Sequence, residues 1–271
     1  MNNSVSICLP IFNEAKSIKK VIEDWVLCLE DLSIDYEIIC SEDGSTDQTP
    51  EIIKELCLNN NRIVNNHSVS KRGYTGAVIS GVEKSNNEYI LCIDSDGQCD
   101  PVDFKKFWDN RNKLQDSFLV GNRFLRKDGT FRIVISKLFK ILHFTLFRCR
   151  LNDPSCPYVL FKKENFNIIK NKLDFMTEGF WWGFTACCSL KDFNLIEIDI
   201  NHKKRIDGET NVYKLQKIPI IALRNAIGLF KIRFSEFFID FFLIFRLNLS
   251  FLKTLRLLSI PLNILYPLFF L

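Results

Sequence analysis

Over residues 4–120, short apolar runs rich in β-favouring residues alternate with segments of helical periodicity. Ser4–Ile11, Asp35–Cys40, Asn61–Asn65, Glu88–Ile93 and Ser117–Val120 read as strands. Between them, Glu14–Glu30, Asp47–Leu58, Tyr74–Lys84 and Pro101–Leu114 read as helices, with Thr49 as N-cap of the second and Pro50 at its first position. This alternation predicts a mostly parallel sheet wrapped by helices. Ligands of such sheets bind beyond the carboxyl ends of the strands, and polar clusters follow Ile11, Cys40 and Ile93.

Composition narrows the class. The chain has 271 residues, 47% hydrophobic and 25% charged, which excludes a disordered, collagen-like or polytopic membrane protein. Residues 1–11 lack a basic stretch followed by a long apolar one, so no signal peptide is expected. The ten cysteines then read as reduced thiols, and none of their spacings makes a zinc site. From His202 onward there are 11 Lys and Arg against 4 Asp and Glu, and 10 of the 25 Phe lie between Phe230 and Phe270. A basic, Phe-rich end predicts contact with an anionic membrane surface. Packing as a helical subdomain would use the same residues. Phe237, Phe238, Phe241, Phe242 and Phe245 share one helical face, while Asp240, Arg246, Pro261 and Pro267 interrupt any full span. Basic residues set among Phe and Leu do not form a nucleic-acid groove.

Three clusters carry candidate chemistry. Asp94-Ser95-Asp96 closes an apolar strand, with Asp100-Pro101 following. Alternate positions put Asp94 and Asp96 on one side, and two hard carboxylates suit Mg²⁺ or Mn²⁺. A turn with helix capping by Asp100 is the structural alternative. Asp43 lies in a turn after the second strand, where it can bind a base or ribose or simply shape the turn. Lys71-Arg72-Gly73-Tyr74-Thr75-Gly76 precedes a helix, a place for an anion. Walker A and GxGxxG motifs are absent, so a P-loop NTPase and a Rossmann dehydrogenase lack support.

In this order, these segments resemble glycosyltransferase family 2, and within it the polyprenyl-phosphate mannosyl- and glucosyltransferases. The resemblance covers about residues 4–217. Leu9–Glu14 matches P-x-[YF]-N-E, and Glu42–Asp47 matches D-[DG]-S-x-D with Glu42 in place of the first Asp. Lys71–Ala77 resembles N-x-G-x-G-x-A, with Lys71 at the Asn position and Thr75 at that of the second Gly, and Asp94–Pro101 matches D-x-D-x-Q-x-D-P. Gly121-Asn122-Arg123 with Arg132 and Ser136, Asn152–Phe161, and His202–Thr210 resemble three further family segments.

The resemblance implies an α/β fold of GT-A type: a mixed, mostly parallel sheet flanked by helices. It implies a catalytic domain over residues 1–214 and an apolar helical appendage over 215–271. Pro10, Phe12, Glu14, Asp43, Lys71, Gly73, Asp94, Ser95 and Asp96 would bind a UDP- or GDP-sugar, with Arg72 near the phosphates. Asp94 and Asp96 would hold the divalent metal. Asp96, Arg123 and Arg205 would serve the transfer, and Arg132, Ser136, Asp153, Glu178 and His202 would face the acceptor. The implied reaction is inverting transfer to a polyprenyl phosphate by an enzyme held, peripherally or monotopically, at the cytoplasmic membrane face. Two departures stand out: Cys156-Pro157 replaces Cys-Gly, and Gly183 falls where relatives often place a carboxylate, with Glu178 the nearest acid. An acceptor hydroxyl needs a general base, whereas a lipid phosphate is already anionic. Transfer to a glycan hydroxyl is the alternative, and a non-catalytic membrane protein keeping the fold a second one. Trp181, Trp182, Cys187 and Cys188 read as core, and His67 and His143 as structural.

Overall fold

The computed structural model describes residues 3–123, 130–203 and 219–235, with side chains from 135 onward in the second stretch. Its element order is β1 (Ser4–Ile11), α1 (Ile18–Asp31), β2 (Asp35–Glu42), α2 (Thr49–Asn59), β3 (Ile63–Asn65), α3 (Gly73–Lys84), β4 (Tyr89–Cys92), α4 (Phe104–Asp109), β5 (Ser117–Arg123), α5 (Thr130–Phe147), β6 (Val159–Lys162), α6 (Lys163–Ile169), α7 (Phe180–Leu190) and β7 (Asn194–Ile200). Residues 219–235 form a further helix.

The sheet has seven strands in the order β3-β2-β1-β4-β6-β5-β7. All neighbours are parallel except β6, which runs antiparallel to both β4 and β5. Register brings the carboxyl ends together: Ile11 pairs with Glu42, and Cys8 with Cys92. Since β6 starts opposite Cys92, the chain preceding it, including Asp153 and Cys156, reaches the same edge. Strands β1 and β4 are buried almost throughout and read as continuous apolar runs, as parallel strands covered on both faces do. Helix α1 turns Ile18, Val21, Ile22, Trp25 and Leu29 onto the sheet. Trp25 meets Phe104 and Tyr158 there at 5.9 and 6.1 Å between ring centroids.

Three local expectations change. Helix α1 starts at Ile18 rather than Glu14, because Asn13 takes φ +56° and residues 14–17 form a turn closed on the Glu14 carbonyl. Thr49 is the first helical residue of α2, not its cap. Its hydroxyl accepts the Glu14 N–H at 2.9 Å, while Asp47 accepts the Thr49 N–H at 3.0 Å. The helix expected over 101–114 breaks into two 3₁₀ turns around the short α4, since the chain tightens at Asn110 onto the Phe107 carbonyl. All ten cysteines are free thiols.

Contacts group residues 1–232 in one unit and 233–271 in another. The first runs past residue 214: Leu229 and Ile232 belong to its core. The Phe-rich segments expected over 237–249 and 257–271 lie outside the described residues. Among the described residues, no helix is long and apolar enough to cross a membrane.

Helices α5 and α7 meet around His143, which is fully buried. Its Nε2 faces the Trp182 carbonyl at 3.1 Å and the Thr185 hydroxyl at 3.2 Å. Burial pulls the imidazole from 6.5 to about 4, against the smaller opposing effect of the Trp182 carbonyl. A depressed histidine pKa means that the unfolded chain takes up the proton first. Stability is therefore full above about pH 6.5 and declines as pH falls toward 4. The shift corresponds to roughly 3 kcal/mol. Urea unfolding of wild type and His143→Gln at pH 7 and pH 4 should show that much less acid sensitivity in the variant.

Candidate active site

The edge where β1, β2, β4 and β5 end carries the sequence-predicted site residues. Pro10 is buried at the end of β1, and its carbonyl accepts the buried Ser95 hydroxyl at 2.8 Å. This bond docks the acidic loop on the end of the neighbouring strand β1. Within the loop, Asp96 is half-buried and accepts the Gln98 N–H at 3.0 Å. Gly97, at φ +77°, supplies the left-handed turn between them. Asp100 accepts the Val102 N–H, so the capping alternative holds for that residue, and it also pairs with Lys203 at 3.0 Å. A backbone bridge joins Cys99 to His202, which brings His202 beside the acidic loop.

Asp94 accepts the Tyr74 hydroxyl at 2.5 Å, and Tyr74 accepts the Trp181 indole N–H at 2.8 Å. Neither aromatic residue was singled out for this by sequence: periodicity places Trp181 in the core, where most of it lies, and says nothing of where its one polar atom points.

Asp43 is buried and caps α3. One oxygen accepts the Arg72 N–H at 2.6 Å and the other the Gly73 N–H at 2.9 Å. The Arg72 guanidinium turns inward to Asp43, the Ser80 hydroxyl and the Glu42 and Asn66 carbonyls. It shapes the loop rather than presenting charge to a phosphate, contrary to the expectation. Lys71 is exposed instead, with Nζ 3.6 Å from the centroid of the Phe12 ring, itself 38% exposed. Phe12 and Lys71 thus form an accessible lip, one flat apolar face with a cation over it. Glu14 lies behind it, accepting the Ser17 hydroxyl at 2.8 Å.

His67 Nδ1 bonds the fully buried Glu42 carboxylate, which also accepts the Ser45 N–H at 2.5 Å. Burial would raise the Glu42 carboxyl, but the bonds from Ser45 and His67 outweigh it and hold it below the usual range.

On the other side of the site, Arg123 and Asp153 find each other. Arg123 Nε and Nη2 donate to the two Asp153 oxygens at 2.6 and 2.9 Å, and Nη2 also to Ser155 at 3.0 Å. The side chains are only 10% and 7% exposed. Burial alone would lower the Arg123 pKa, but Asp153 outweighs it and raises it. Glu197 fastens this loop from β7, accepting the Asn152 and Asp153 N–H groups at 2.6 and 3.0 Å. A guanidinium and a carboxylate expected to face two substrates are instead a buried fork-to-fork pair. Ser136 is half-buried on α5. The Arg132 side chain and Arg205 lie outside the described residues.

Gly183 sits in α7 with no space for a side chain: a Cβ there would lie 2.2 Å from Met176 Cγ and 3.3 Å from Ile232 Cδ1. Gly183→Asp is expected to cost about 3 kcal/mol or more, through overpacking and a buried charge, and thermal unfolding reads it directly. The nearest acid, Glu178, has one oxygen 3.6 Å from Arg224 and the other buried without a hydrogen-bond partner among the described residues.

Among the described residues no three Cys, His, Asp or Glu side chains cluster as a ready-made metal cage. The donor set that exists is oxygen from Asp94 and Asp96. Cys99 is buried and its thiol is pushed well above its usual pKa, by burial first and by the Asp94 charge next. Two half-buried carboxylates are hard oxygen donors that fit a cation such as Mg²⁺ or Mn²⁺ that keeps places for ligand oxygens.

A mixed seven-stranded sheet with an acidic loop beyond its central strand defines a fold of GT-A type. The chain aligns over 83–85% of its length with solved structures of that type. One is glucosyl-3-phosphoglycerate synthase from Mycobacterium tuberculosis in complex with Mn²⁺ and UDP-glucose, at TM-score 0.55 and 15% identity, covering 85% of this chain and 79% of that one. The model of glycosyl transferase family 2 matches residues 6–187, and the chain belongs to that family. Among its relatives are glycosyltransferase AglD of Haloferax volcanii, 28% identical over 63% of this chain, and dolichyl-phosphate beta-glucosyltransferase of Dictyostelium discoideum, 25% identical over 86% of it. The aligned region is 28% of the length of the Haloferax protein and 78% of the Dictyostelium one.

Proposed function

We propose that this family 2 glycosyltransferase moves a sugar from a nucleoside-diphosphate sugar to a polyprenyl phosphate at the cytoplasmic face of a membrane. The observation that carries the choice of acceptor is Gly183. Met176 and Ile232 fill the space where a carboxylate would project, and an anionic phosphate needs no general base while a hydroxyl does. The Dictyostelium relative, a dolichyl-phosphate beta-glucosyltransferase, supports the same acceptor.

In this reading the exposed Phe12–Lys71 lip receives the nucleotide, its ring facing the base and its ammonium the phosphates. Pro10, Glu14, Asp43 and Gly73 shape the floor beneath it. Asp94 and Asp96 hold the divalent cation, which when bound offsets charge on the departing diphosphate. An acceptor phosphate oxygen attacks the anomeric carbon from the face opposite the nucleotide. The bond from that carbon to the diphosphate oxygen breaks, and the nucleoside diphosphate leaves with the electron pair. The configuration inverts. His202, beside the acidic loop, faces the acceptor side. Residues 215–271, basic and Phe-rich, hold the enzyme at the surface where the lipid phosphate lies.

One observation favours a second reading. The Glu178 oxygen that is buried without a hydrogen-bond partner among the described residues is a candidate base for a glycan hydroxyl. A donor panel separates the two. Full-length protein in vesicles with polyprenyl phosphate and Mn²⁺ or Mg²⁺ is given labelled UDP- and GDP-sugars. Label from one donor should enter the lipid extract. Nucleotide binding without transfer from any donor would move the assignment to a hydroxyl acceptor.

A further inference from the structure

Tyr74 lies in the first turn of α3, Trp181 in the first turn of α7, and Asp94 just beyond β4. They come together only in the fold. Chemistry fixes the direction of the chain between them. An indole nitrogen can only donate, so at 2.8 Å the Tyr74 oxygen accepts from Trp181. The phenol's single proton then goes to the Asp94 carboxylate, 2.5 Å away. The second link is charge-assisted, and linked donors polarise one another.

Phe180 packs against both aromatic rings, and Tyr74 is otherwise 37% exposed. Tyr74 packs against Phe180 at 5.9 Å, and Phe180 meets Trp181 edge-on at 4.9 Å. Next to Tyr74, Thr75 donates to the Met176 carbonyl at 2.7 Å, which ties α3 to the chain entering α7. The link from α7 to the acidic loop therefore passes through two rings that share Phe180 as a neighbour.

We propose that Tyr74 and Trp181 are positioning residues: a two-link relay that holds the Asp94 carboxylate in its donor-binding orientation and makes donor affinity depend on the seating of α7. This rests on the donor-site reading above. Tyr74→Phe keeps the ring and removes only the hydroxyl. Trp181→Phe removes the indole donor.

The test has a ligand-free arm and a binding arm, both on the full chain. The protein has four Trp, hence four indole N–H signals in a ¹⁵N correlation spectrum. Without ligand, the Trp181 signal should move in Tyr74→Phe and also in Asp94→Asn. In the binding arm, Mn²⁺ with UDP or GDP is titrated calorimetrically. Tyr74→Phe should weaken binding by about 10- to 100-fold, the range for losing one hydrogen bond to a charged group. Trp181→Phe should weaken it less, and the double variant no more than Tyr74→Phe alone, since both act through one chain. At saturating donor and cation, kcat should stay within about threefold, so the loss falls on KM.

An unmoved Trp181 signal in Asp94→Asn overturns the relay, as does Tyr74→Phe binding within about twofold of wild type. A wild type that binds neither nucleotide overturns the donor-site reading and with it this role. The indole signals, read without ligand, tell that outcome from failure of the relay alone.

Discussion

Asp153→Ala is expected to destabilise the protein by about 3–5 kcal/mol, the range for removing one partner of a buried ion pair. The Arg123 guanidinium would keep its charge inside the protein with both carboxylate bonds gone, and Ser155 would lose its acceptor. The pair also ties the end of β5 to the loop entering β6, so losing either partner releases both segments. Urea unfolding monitored by tryptophan fluorescence measures it. Arg123→Ala should destabilise comparably, by removing the guanidinium that both oxygens of the buried Asp153 carboxylate face. Had Arg123 faced the substrate, its removal would lower activity and leave the unfolding midpoint nearly unchanged. The two variants therefore separate an architectural role for this arginine from a catalytic one.

Asp96→Ala should do the reverse. Asp96 is half-buried and holds one backbone N–H, from Gln98, so the expected cost in stability is about 1 kcal/mol. Transfer, by contrast, should fall by about 10²- to 10³-fold, the scale for losing one preorganised electrostatic contact to developing charge. Paired measurements of unfolding midpoint and sugar transfer show both effects in one variant.

The parallel half of the sheet was legible because β1 and β4 are largely apolar runs, and polar clusters that apolar packing does not require follow β1, β2 and β4. β6 and β7 were not read: β6 runs straight into α6 with no turn between them, although β7 alternates over Ile196–Ile200 as a half-buried strand does. The acidic loop was legible as a motif, and its Ser95 anchor follows from the strand end it sits on. Side-chain commitments were not legible. Arg72 and Arg123 fit phosphate-binding patterns in sequence, yet each lies beside a buried carboxylate that claims it. Which charge a guanidinium meets depends on register between distant segments, 29 and 30 residues apart here. Tyr74 and Trp181 were missed for the same reason: one polar atom on a large apolar side chain leaves no mark on periodicity. Gly183 shows the converse case, where a residue noted only for lacking a carboxylate turns out to be set by the packing of Met176.

The central claim is that a phosphate, not a hydroxyl, receives the sugar. The most direct test offers the reconstituted enzyme, with its preferred labelled donor and Mn²⁺, a polyprenyl phosphate and the matching polyprenyl alcohol in separate vesicles. The account predicts label in the lipid fraction with the phosphate and none above background with the alcohol. Equal or greater transfer to the alcohol would contradict it.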